Sequence, residues 1–137
     1  MPPSAHYARV LVRGHFEDLY RLLASKHGNC FRRCFRLEDG RLLGIILGEK
    51  FFFRTSSTAS ITIVLEERDY GRVMVEVISH AGGKGILDIS YAAHTDYVHD
   101  VLNDIRGLGF TYELLEEIDY FNPGKTPYDP AEALRRR

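Results

Sequence analysis

The sequence predicts an α+β domain: an antiparallel sheet of about five strands with two main helices on one face, in the order β-α-β-β-β-β-α. Two observations carry this. Several segments alternate apolar and polar residues with period two, and two others repeat apolar residues every three to four positions. The helical segments also stand at either end of a run of strands instead of alternating with them, which segregates helices from strands.

His6 to Arg13 alternates around Tyr7, Ala8, Val10, Leu11 and Val12 and predicts a first strand ending at Gly14. His15 to His27 carries Phe16, Leu19, Tyr20, Leu22 and Leu23 as one broad stripe, the pattern of an amphipathic helix. Glu17 and Asp18 at its start and Lys26 and His27 at its end suit the helix dipole, and Gly28 stops it. A second strand follows over Cys30–Leu37, and Glu38-Asp39-Gly40 is a hairpin turn signal.

Leu42 to Phe53 is apolar on both faces and predicts a central strand. Gly44 and Gly48 suggest a bulge or bend in it, and Glu49-Lys50 a break that splits it in two. Ala59–Glu66 and Arg72–His80 alternate cleanly, joined by a turn at Asp69-Tyr70-Gly71. Val73, Val75 and Val77 are expected in the core against Leu19, Leu23, Val101 and Ile105, with Val64, Met74 and Ile78 on the opposite face.

Ile86–Ser90 suggests a short extended piece. Thr95 then resembles an N-cap, and Tyr97, Val98, Val101, Leu102, Ile105 and Leu108 predict a second helix over about Asp96–Leu108. Phe110–Ile118 fits a strand or a helix equally. Residues 1–121 therefore form one domain, and 122–137, with Pro123, Pro127 and Pro130, a C-terminal tail.

This element order is similar to that of the TATA-binding-protein-like and helix-grip folds. The segment Ser60-Ile61-Thr62-Ile63-Val64 through Val77-Ile78-Ser79-His80-Ala81-Gly82-Gly83 to Ile89-Ser90-Tyr91 resembles an uncharacterised family of small prokaryotic α+β proteins. In that family a strand ends in Ser-Gly-Gly before the last helix; here His80-Ala81 separates Ser79 from Gly82-Gly83. The resemblance implies no activity.

Composition excludes some function classes. A net charge of −1 gives no long-range attraction to nucleic acid or anionic membrane. No apolar run approaches the roughly 20 residues of a membrane span, and the start lacks a signal-peptide pattern, so a soluble cytoplasmic protein is expected. Glutamine is absent and asparagine occurs only at positions 29, 103 and 122, an amide depletion that suits a hot environment. Cys30 and Cys34 in one strand lie about 13 Å apart, too far for a disulfide, and are expected as free thiols.

No motif specifies a cofactor. Gly82-Gly83-Lys84-Gly85 offers backbone donors and a cation to an anion, but it is neither a P-loop nor a dinucleotide fingerprint. His80, His94 and His99 lie among Asp88, Asp96 and Asp100 without metal-site spacing, so neither a metal nor any other cofactor is expected. Arg32, Arg33, Arg36, Arg41 and Arg54 interleave with Phe31, Phe35 and Phe51–Phe53, a pattern seen in single-strand nucleic-acid binders, which the charge balance disfavours. Here the phenylalanines are expected in the core, with the arginines solvated on the other face.

Two function classes remain. One is a non-enzymatic module that self-associates into a homo-oligomer through its sheet, with Met74 and Ile78 near the interface. The other is a binding protein or enzyme for a small anionic ligand, with His80, Gly82, Gly83, Lys84 and His94 around the loop and the start of the second helix.

Overall fold

The structure, a computed structural model, describes residues 4–52, 57–81 and 87–119, with the backbone alone at 4, 57, 81 and 87–94. The chain runs β1 (Ser4–Arg13), α1 (Phe16–His27), β2 (Phe31–Arg36), β3 (Leu42–Phe52), β4 (Ser57–Asp69), β5 (Arg72–Ala81), α2 (Leu87–Gly107) and β6 (Thr111–Asp119). The six strands form one antiparallel sheet in the order β2-β3-β4-β5-β1-β6. The α+β architecture is as predicted, with one strand more than expected. The tail over 122–137 lies outside the described residues.

Both helices cover one face. Ala8, Val10, Val12, Ile46, Ile61, Ile63, Leu65, Val73, Val75 and Val77 point from the strands into a single core with Leu19 and Leu23 of α1 and Val98, Val101 and Ile105 of α2. The predicted valine row is thus buried against the predicted helix positions. The α1 stripe ends where Gly28 donates its N–H to the Ala24 carbonyl at 3.0 Å.

β3 corrects the expectation of a bulge or a break. It pairs with β4 in unbroken register from Leu43 to Phe52. Its glycines make room for α1 instead. A Cβ at Gly44 would stand 2.7 Å from the Tyr20 ring, and one at Gly48 would stand 1.9 Å from the His27 carbonyl oxygen. Glycine here is a matter of helix–sheet approach, not of strand geometry.

The second helix begins at Leu87, not Asp96, so Ile86–Ser90 is not a separate extended piece from Leu87 onward and Thr95 is interior rather than an N-cap. Ser and Thr followed by an acid resemble a cap wherever they fall, and the helix runs about two turns further back than that local signal marks.

The ambiguous segment 110–118 is a strand, β6. A bulge at Leu115, where the β1 pairing slips between Arg9↔Glu116 and Val10↔Leu114, explains the ambiguity. Tyr112 and Leu114 share the helix-covered side, and beyond the bulge Glu117 and Asp119 do, so the alternation changes phase in mid-strand.

Core phenylalanines are only part of the outcome. Phe52 packs on the core, but Phe31 and Phe51 are 45% and 49% exposed on the face away from the helices. Arg33 shares that face and lies over the Phe35 ring at 5.4 Å. Arg54 lies outside the described residues. Cys30 and Cys34 are free and exposed.

Candidate functional site

The bulge places Glu117 next to His6 on the helix-covered side of the sheet, and α2 brings His99 down onto the same carboxylate. His6 Nε2 lies 2.6 Å and His99 Nε2 3.1 Å from the same oxygen, Glu117 Oε2. The two imidazoles meet edge to face, 5.6 Å between centroids at 80°. His6 is buried, with a side chain 6% exposed, whereas Glu117 and His99 are 33% and 50% exposed. One side of the cluster is therefore sealed and the other open to water. His6 Nδ1 is buried without a hydrogen-bond partner among the described residues. Burial pushes the Glu117 carboxyl upward, and the hydrogen bonds and charges of His6 and His99 outweigh it, holding the carboxyl below its ordinary range. The three side chains form a set that a metal ion fits by donor type.

His6 and Glu117 were not singled out in the sequence, and His99 was weighed only beside His80 and His94, because nothing local unites the three. His6 and Glu117 are 111 positions apart, and His99 and Glu117 18 apart. One signal was available: His6 shares the strand parity of Ala8, Val10 and Val12, which makes it a histidine on a core-facing register.

The expected site residues are not gathered there. Gly82, Gly83 and Lys84 lie outside the described residues. His94 is in α2, seven residues past its first residue and so about 10 Å along the axis from the helix start it was expected to mark. His80 is exposed on the opposite face of the sheet from His6. The Ser60 hydroxyl lies 2.6 Å from His80 Nδ1 and 3.0 Å from the His80 carbonyl oxygen.

Beside His99 runs an open groove of about 480 Å³, lined by Lys50, Phe51, Phe52, Asp96, His99, Asp100 and Asn103. Lys50 reaches Asp100 at 2.8 Å and sits over the rings of Phe52 and Tyr97. Burial pushes the Tyr97 hydroxyl up to about 12.

A second buried histidine links the helices. His27 Nε2, at the end of α1, is 2.8 Å from Asp104 of α2. Burial lowers its pKa, Asp104 and Asp100 oppose this, and Lys50 adds to it. A histidine with a lowered folded pKa binds fewer protons folded than unfolded, so stability falls as pH drops below the unfolded value near 6.5. Glu117 adds a second loss, at the acid end, as pH falls below the ordinary carboxylate range. Thermal unfolding should therefore show a midpoint that declines between pH 7.5 and 5.5. In His27→Gln the decline over that window should shrink; an unchanged slope would assign it elsewhere.

The other face of the sheet has a different character. Register places Leu11 of β1, Leu43, Ile45 and Leu47 of β3, Val64 of β4 and Ile78 of β5 on it, all half-buried. Among the described residues no helix or strand lies over this face. Several of its charges are paired within the chain: Arg9 with Glu116 at 3.6 Å, Arg41 with Glu66 at 3.3 Å, and the Tyr7 hydroxyl donating to Glu76 at 2.7 Å. Among the described residues no helix is long and apolar enough to cross a membrane.

No family model matches the chain, and neither the curated proteins nor the solved structures contain a significant match. What the structure defines is an α+β protein class, a six-stranded antiparallel sheet backed by two helices.

Proposed function

We propose that this chain is a non-enzymatic module that self-associates through the open face of its sheet, as a homodimer or a closed oligomer built from one. The observation that supports it best is the row Leu43, Ile45, Leu47, Val64 and Ile78 on a face over which no described element packs. Apolar surface of this extent is uncommon on a lone monomer. Met74, expected at the interface, is only 8% exposed in the single chain, so the centre of the contact shifts toward β3.

A second copy suits the face better than a charged partner. Internally paired charges lose less on burial than isolated ones. A two-fold axis along the strands also lays β2 of one copy over β6 of the other, which sets the basic β2, with Arg33, against the acidic β6, with Glu113. Ile45→Arg is expected to release monomers in size-exclusion chromatography without loss of fold, since the substituted side chain points to solvent. Arg33→Glu should weaken association, and adding Glu113→Arg should restore it. An elution volume unchanged by Ile45→Arg would reject the face as the interface.

A further inference from the structure

We infer that His6, His99 and Glu117 form a binding site for a divalent transition metal, zinc in the first instance, with one coordination position open to solvent. The inference concerns the helix-covered side of the sheet and goes beyond self-association through the opposite face.

Convergence is the first ground. Both imidazoles aim Nε2 at one carboxylate oxygen, and they come from β1 and α2 toward β6. Zinc bound at about 2.0–2.1 Å in tetrahedral geometry sets its donor atoms roughly 3.3 Å apart. The present separations from Glu117 Oε2 are 2.6 and 3.1 Å, which open by less than an ångström to admit the ion, and all three donor atoms already lie within 4.8 Å of one another. Glu117 and His99, being partly exposed, can supply that movement by rotating about their side-chain bonds, while buried His6 stays fixed.

The orientation of the buried His6 ring is the second ground. In the hydrogen-bonded arrangement His6 Nε2 carries the proton that faces Glu117, and buried Nδ1 holds a lone pair with no donor among the described residues. Nδ1 is enclosed by the protein, so Nε2 is the ring atom available to an ion, and it faces Glu117. When a cation takes Nε2, the ring proton shifts to Nδ1 so that the imidazole binds as a neutral ligand, and the charge of Glu117 is neutralised by the ion.

The donor set decides the class of ion. Two imidazoles and a carboxylate are borderline ligands that suit zinc and its first-row neighbours over calcium or magnesium, which take oxygen. Three protein ligands leave the fourth position for water, on the side where Glu117 and His99 are exposed. Bound metal ties α2 to the edge strand β6 and to β1.

The test is titration of the untagged, chelator-treated chain with zinc chloride, in a Cys30→Ser, Cys34→Ser background that removes the exposed thiols as competing ligands. Saturation at one zinc per chain with a raised unfolding midpoint is expected. His99→Ala and Glu117→Gln, both partly exposed and tolerable to the fold, should each weaken binding at least tenfold, on the order of or beyond what loss of a supporting contact does. His80→Ala, on the far face, should bind as the parent does. Cobalt(II) in place of zinc should give visible absorption bands that disappear in His99→Ala. Absent or substoichiometric zinc binding, or binding that survives either His99→Ala or Glu117→Gln, overturns the inference.

Discussion

Gly48→Ala is expected to destabilise the fold by about 3 kcal/mol or more, at the upper end of what overpacking does. The added Cβ would stand 1.9 Å from the His27 carbonyl oxygen, a backbone atom that no rotamer change can move. Relief requires α1 to lift off β3, and that move carries other contacts with it. Asn29 Oδ1, 3.1 Å from the same added Cβ, accepts the Glu49 N–H at 2.9 Å. His27 holds Asp104 of α2, so displacement of α1 also strains the link between the helices. Gly107→Ala gives the contrast: nothing lies within 4 Å of its Cβ, and at the end of α2 it should be neutral or stabilising by up to about 1 kcal/mol. Urea unfolding of the two variants measures both. Equal stability for Gly48→Ala and the parent would mean that α1 does not approach β3 as described.

Leu23→Ala should cost about 2–5 kcal/mol. Leu23 is fully buried on the α1 stripe, in the core that joins α1, α2 and the sheet. Its truncation leaves a cavity in a region whose walls, Ile46, Leu65 and their neighbours, are held by strand pairing and collapse little. The thermal midpoint should fall on the order of 10 °C. Leu108→Ala, 55% exposed, should change stability by less than about 0.5 kcal/mol. Comparable losses in the two variants would contradict the placement of the core.

Much of the fold was legible because burial follows periodicity. The stripe Phe16, Leu19, Leu23 and the valine row of β5 each announce a face, and both faces are buried where expected. The errors have physical causes. Gly44 and Gly48 show in the sequence only as missing side chains; that a helix occupies the space is a tertiary fact. The Thr95-Asp96 pair carries local capping chemistry, yet α2 runs back to Leu87. The β6 bulge changes the phase of alternation at Leu115, which erases the strand signature in the same stroke that delivers Glu117 to His6. The His6–His99–Glu117 cluster was not legible at all, since its members come from three elements and meet only through the sheet order β5-β1-β6.

Self-association through the open sheet face is tested most directly by sedimentation equilibrium of the unmodified chain over a wide dilution series at micromolar concentrations. A self-associating module gives a mass of at least twice 15.7 kDa that levels off at a small multiple of the chain and falls toward it on dilution. A mass of 15.7 kDa at every concentration would contradict it.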